Sequence, residues 1–70
     1  MAITGAQLQA ALGTNAMSPR VLREYGVVST YQEWLVMGSP TYPGRTRLVR
    51  TTAADNAATQ AAAVLTALAA

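Results

Sequence analysis

The stretch that most limits the fold is the last part of the chain, Thr51 to Ala70, which reads TTAADNAATQAAAVLTALAA and holds one charge, Asp55, with no proline or glycine. Alanine loses no side-chain entropy on becoming helical, so a run of this kind predicts a helix. Thr52, followed three residues later by Asp55, is expected to cap its start: the hydroxyl accepts an orphan backbone N–H and the carboxylate sits at the positive end of the helix dipole. Helical spacing puts Ala54, Ala57, Ala58, Ala61, Leu65 and Leu68 on one side with Val64 at its border. Asn56, Thr59, Ala63, Thr66 and Ala70 lie roughly opposite. The plainest role for such a helix is to cover its own domain's core. A solvated helix also carries charge on its outer side, however, and this one has none after Asp55, so a second covering surface is expected. Small side chains allow close backbone approach there. Ala58, Ala61, Leu65 and Leu68 are the residues expected to make protein contacts. A membrane span is not expected, because alanine is barely apolar enough and polar residues interrupt the run.

Size sharpens the point. A chain of 70 residues allows one small domain, residues 1–70, which buries only about 60% of its unfolded surface and is marginal without help. The chain has no Cys and no His, so a disulfide, a thiolate site and an imidazole ligand are all unavailable as staples. Association is the remaining one. Charged residues make up 11% of the chain, against about 25% in an ordinary soluble domain, and low charge favours association. The net charge of +2 is too small to name a nucleic-acid partner by itself. Met1 to Leu12 lacks a basic leader with a continuous apolar core, so the expected location is a virion or host cytoplasm rather than the secretory route.

In chain order, Thr4 and Gln7 form a capping box for a short helix from about Gly5 to Leu12, with Ile3 and Leu8 as a hydrophobic staple. Gly13 ends it as a residue tolerant of a left-handed backbone. The signal then recurs, with Met17 as staple, Ser18 as cap and Pro19 at the first helical position. A second short helix is predicted through Tyr25, closed by Gly26. Beyond it, Thr30 with Glu33 would allow a third helix from Tyr31 to Met37. The rival is an extended strand over Gln32 to Met37, favoured by Tyr31, Trp34 and Val36, with Arg45 to Thr51 returning as its partner. The strand is preferred. Gly38 to Gly44, with Pro40 and Pro43, makes the connecting loop. The predicted fold is α+β: two short N-terminal helices, a β-hairpin and a longer Ala-rich C-terminal helix. One hairpin face can lie on the helices, and the other would leave apolar residues exposed unless something covers it.

No constellation supports catalysis. The acids Glu24, Glu33 and Asp55 are few and scattered, and the serines have no His or Lys as a base. No phosphate-cradling glycine loop is present, and no metal, cofactor or small-molecule substrate is expected. Trp34 is expected in the core, as the largest side chain of a small domain. Tyr42, on the proline-bounded loop, suits contact with a protein partner.

The segment Ser18-Pro19-Arg20-Val21-Leu22-Arg23-Glu24-Tyr25 resembles the recognition helix of the MerR-type regulators over those eight residues. The resemblance implies a small winged-helix-like DNA-binding regulator, with Arg20 and Arg23 facing the groove and Arg45, Arg47 and Arg50 on a hairpin wing meeting phosphates. The reading preferred over it is a non-enzymatic structural or interaction protein. Such a chain would be a small subunit of a larger assembly, such as a capsid-associated, connector or tail accessory protein of a phage or virus particle. Its expected partners are proteins, either further copies or other subunits.

Overall fold

The computed structural model describes residues 2–25, 31–42 and 46–70, and the side-chain surroundings of all of these but 17–25. The fold is mixed α+β. Its elements run α1 (Gly5–Leu12), β1 (Ala16–Tyr25), β2 (Tyr31–Gly38), β3 (Thr46–Thr52) and α2 (Ala57–Ala69). The strands form one antiparallel sheet in the order β1-β2-β3, so β2 is paired on both edges.

α1 begins as its local chemistry dictates. Gln7 N–H donates to Thr4 Oγ1 at 3.2 Å and Thr4 N–H donates to Gln7 Oε1 at 2.7 Å, which completes the capping box. Gly13 ends the helix at φ 63°, where a side chain would be strained. The Gln9 amide then donates to the carbonyls of Gly13 and Ala16 at 3.0 and 2.9 Å, fixing the turn into β1.

The predicted second helix is a strand. Ser18 and Pro19 are a good local helix start, but β2 has two edges to satisfy and β1 supplies one of them. Two register shifts, between Met17 and Arg20 and between Val21 and Arg23, interrupt the β1–β2 ladder. Pro19 falls in the first, where an edge strand tolerates a residue that cannot donate. Tertiary pairing therefore overrides the cap signal, and the described residues form two helices rather than three. Gly26, the stop assigned to that helix, and Thr30, the cap of its rival neighbour, lie outside the described residues.

β2 is a strand, as preferred, and its register with β3 sets Trp34 opposite Val49, Gln32 opposite Thr51 and Leu35 opposite Leu48. After β2 a turn places Pro40 second, with Tyr42 N–H donating to Ser39 carbonyl at 2.8 Å. A Cβ at Gly38 would overlap the Tyr42 carbonyl oxygen, so this close crossing requires glycine.

The C-terminal helix starts later than its composition predicts. Thr51 and Thr52 belong to β3, and the cap is Asn56, whose Oδ1 accepts from Thr59 N–H at 2.9 Å. The β-branched threonines suit the ladder, and Thr51 has work to do inside it. Val64, placed at the border of the apolar stripe by the sequence, is fully buried at its centre between Ala61 and Leu68.

α1 and α2 lie together on one face of the sheet. Leu8 and Leu12 of α1 meet Ala61, Val64 and Leu68 of α2 over Trp34, Val36 and Val49. Trp34 is completely buried, as its size led one to expect. Buried polar groups are bonded in a chain. Trp34 Nε1–H donates to Thr51 Oγ1 at 2.9 Å, Thr51 donates to Gln60 Oε1 at 2.6 Å, and Gln60 Nε2 donates to the Asp55 carbonyl at 2.9 Å. That chain ties the sheet to the start of α2. On the other side, the buried Gln32 amide grips the backbone of Ile3, accepting from its N–H at 3.2 Å and donating to its carbonyl at 2.9 Å. No described buried side-chain polar atom lacks a partner.

Candidate docking face of the sheet

The strand period of two sends alternate residues of β2 and β3 away from the helices. From β2 these are Tyr31, Glu33, Leu35 and Met37, and from β3 they are Thr46, Leu48, Arg50 and Thr52. No described element packs on this face. Leu48 is 59% exposed and Met37 41%, and they are the large apolar side chains most open to water among the described residues. Half-buried Leu35 lies directly opposite Leu48, so the three make one apolar patch.

Beside the patch is a polar cluster. Arg50 Nη2 donates to Glu33 Oε2 at 3.3 Å across the strand pair, and its guanidinium carbon stands 4.5 Å from the centre of the Tyr31 ring. The Arg50 side chain is largely exposed, so this pair contributes at most about 1 kcal/mol to stability. By register Arg23 lies opposite Glu33, Arg20 opposite Leu35, and Tyr25 opposite Tyr31. The ladder thus brings Arg20, Arg23 and Arg50 to neighbouring positions although the sequence spreads them over two strands.

The residues singled out from sequence divide between this face and the core. Ala61 and Leu68 are buried inside the chain's own core, Leu65 packs half-buried against it, and Ala58 is exposed on α2. Tyr42 leans on the core, half-buried. Arg47 points to the helix side, where its Nη2 donates to the Ala70 carbonyl at 3.2 Å. Arg45 lies outside the described residues. Arg47 and Arg50 are therefore on opposite faces, and the strand at Ser18 to Tyr25 removes the helix on which the MerR-type resemblance depends.

Sequence reasoning missed Gln32 and Gln60. Both carried a signal: Gln32 alternates with Trp34 and Val36, and Gln60 precedes Val64 and Leu68 at intervals of four, which puts each amide on a buried stripe.

Among the described residues there is no ligand-sized cavity and no cluster of acidic side chains that could hold a metal ion. None of the described helices is long and apolar enough to cross a membrane. In comparison with protein-family models, curated proteins and solved structures, the chain matches none.

Proposed function

We propose that this chain is a non-enzymatic interaction subunit that docks into a larger protein assembly through the open face of its sheet. The observation that carries the reading is the patch in which exposed Leu48 and Met37 adjoin half-buried Leu35 on a surface that no described element covers. Contiguous exposed apolar surface of this kind marks interaction sites rather than ordinary solvated surface. The exposed side of α2 supports the same reading, since Ala58, Ala62, Ala63, Thr66 and Ala69 lie there without a charge. A weakly charged chain with neither Cys nor His suits a component of a phage or virus particle, where neighbours supply stability.

The test is sedimentation of the epitope-tagged chain from the cell or virus that encodes it. The wild type should travel with a high-mass assembly on a density gradient. Leu48→Asp, with a wild-type circular dichroism spectrum, should move to the light fractions. Wild-type protein confined to the light fractions, or a variant that still travels with the assembly, would overturn the reading.

A further inference from the structure

Beyond the docking face, the sheet offers a second surface at its rim. We infer that the outer edge of β3 pairs antiparallel with β3 of a second copy, about a two-fold axis at Val49, joining two three-stranded sheets into one.

The two edges of the sheet are built differently. In the order β1-β2-β3, each outer strand has a ladder partner on one side among the described elements. The other side of such a strand presents a row of backbone N–H and C=O groups, which takes up another extended strand. β1 carries devices that spoil this pairing, namely Pro19 and two register shifts. β3 has neither. Thr46–Thr52 contains no proline or glycine and runs in unbroken register with β2 over all seven residues. Charge on an edge also discourages pairing, but both arginines of β3 are engaged within the chain. Arg47 bonds the Ala70 carbonyl, and Arg50 bonds Glu33 and stands over the Tyr31 ring.

Register names the occupant as a second copy. A two-fold pairing sets one residue of β3 against its own counterpart. Centred on Arg47 or Arg50, it would oppose like charges. Centred on Leu48, it would leave Thr51 and Thr52 beyond the end of the partner strand. Centred on Val49, it uses the whole strand: Thr46 meets Thr52 of the second copy, Arg47 meets its Thr51 and Leu48 meets its Arg50. No like charges are then opposed.

The helix layer fits the same arrangement. Within the sheet α2 packs chiefly on β3, so joining two β3 strands brings the two α2 helices side by side. An ordinary solvated helix would force long charged side chains into that seam. Outside the core, α2 presents alanines, threonines and half-buried Leu65, with no charge on either flank, and small side chains permit close approach.

Area supports a pair as well. Seven residues give a wall about 24 Å long, and a sheet with its helix layer is about 20 Å deep. Each copy then covers about 500 Å² and the two together about 1,000 Å², the size at which specific interfaces begin. A lone strand from another protein would meet the edge of β3 but leave the flank of α2 bare.

The chain has no Cys, so introduced thiols read the register directly. Thr46 and Thr52 are exposed and stand at opposite ends of β3, about 20 Å apart, too far for a bridge within one chain. Thr46→Cys and Thr52→Cys, mixed in equal amounts under mild oxidation, should give a covalent heterodimer as the main product. Either variant alone should give less than about a tenth as much. By light scattering the wild type should have twice the mass of the chain, and hydrogen exchange at β3 amides should slow as concentration rises. Ala62→Glu with Ala63→Glu, one on each flank of α2 and folded by circular dichroism, should return the mass to that of one chain. Leu48→Asp should remain paired, because its carboxylate meets Arg50 of the second copy. Pairing and docking therefore fail in different variants, since Leu48→Asp is the change expected to release the chain from the high-mass assembly.

A wild type that stays at the mass of one chain at every concentration overturns the inference. So does a dimer in which the thiol mixture links no better than the single variants. So does a dimer that Leu48→Asp dissolves, which would put the second copy on the open face instead of at the edge.

Discussion

The two faces of the sheet are built from the same two strands, yet they obey different rules. On the helix side every large group is spoken for. Trp34, Val36 and Val49 fill the space under α1 and α2, and even the polar atoms of Gln32, Thr51 and Gln60 are bonded. On the open side Leu48 and Met37 face water, and the exposed Arg50 guanidinium bonds a largely covered Glu33 carboxylate. Stability is concentrated on one face. In a chain this small, neighbouring residues one position apart can therefore have wholly different consequences when changed.

The largest effect should come from the covered face at its densest point. Trp34→Ala removes the biggest buried side chain and the donor to Thr51, and should cost about 3–5 kcal/mol, enough to unfold a marginal domain. Leu35→Ala, one residue along and on the open face, should leave the chain folded in a urea titration. A Trp34 variant as stable as the Leu35 variant would break the comparison.

The polar chain gives a finer contrast. Thr51→Val keeps the shape but strands the Trp34 indole N–H and the Gln60 amide oxygen, which should cost about 1–3 kcal/mol. Thr52→Val, on exposed backbone next door, should change stability by less than about 0.5 kcal/mol. Thermal denaturation of the two variants side by side measures the difference.

A third contrast lies outside both faces. Asn56→Ala removes the cap of α2 and should cost about 1 kcal/mol, with hydrogen exchange quickening first at the amides of Ala58, Thr59 and Gln60. If Thr52→Ala frays those amides more than Asn56→Ala does, α2 begins earlier than Asn56.

What could be read from the sequence was mostly what is decided locally. The first helix, its capping box and its stop at Gly13 depend on residues within one turn of each other, and they appear where the residues put them. The β2–β3 pairing was legible from Trp34, Val36, Leu48 and Val49, whose alternation and branching suit a pleated surface. β1 was not, because Ser18 and Pro19 spell a helix start and nothing near them in sequence reveals that β2 has an edge to fill. The start of α2 was misplaced for a similar reason: Thr52 is an acceptable helix cap, and its pairing with Tyr31, far away in sequence, keeps it in the ladder.

The candidate site was half legible. That one hairpin face would leave apolar residues open followed from alternation alone. Which residues share it with arginines depended on β1, and so on a pairing no local signal announced. Ala61 and Leu68 illustrate the converse difficulty. A stripe of small apolar residues looks the same from sequence whether it meets a partner or its own sheet, and here those two meet the sheet.

The most direct test of the two-faced sheet is the urea stability of Leu48→Asp beside Val49→Asp. The residues are adjacent on β3, one exposed and one buried against the helices. A carboxylate at position 49 would be buried without a partner, so Val49→Asp should lose several kcal/mol, about 3 or more, and Leu48→Asp should stay within about 0.5 kcal/mol of the wild type. Equal losses at the two positions would show that both faces are covered in the free chain and would contradict the account.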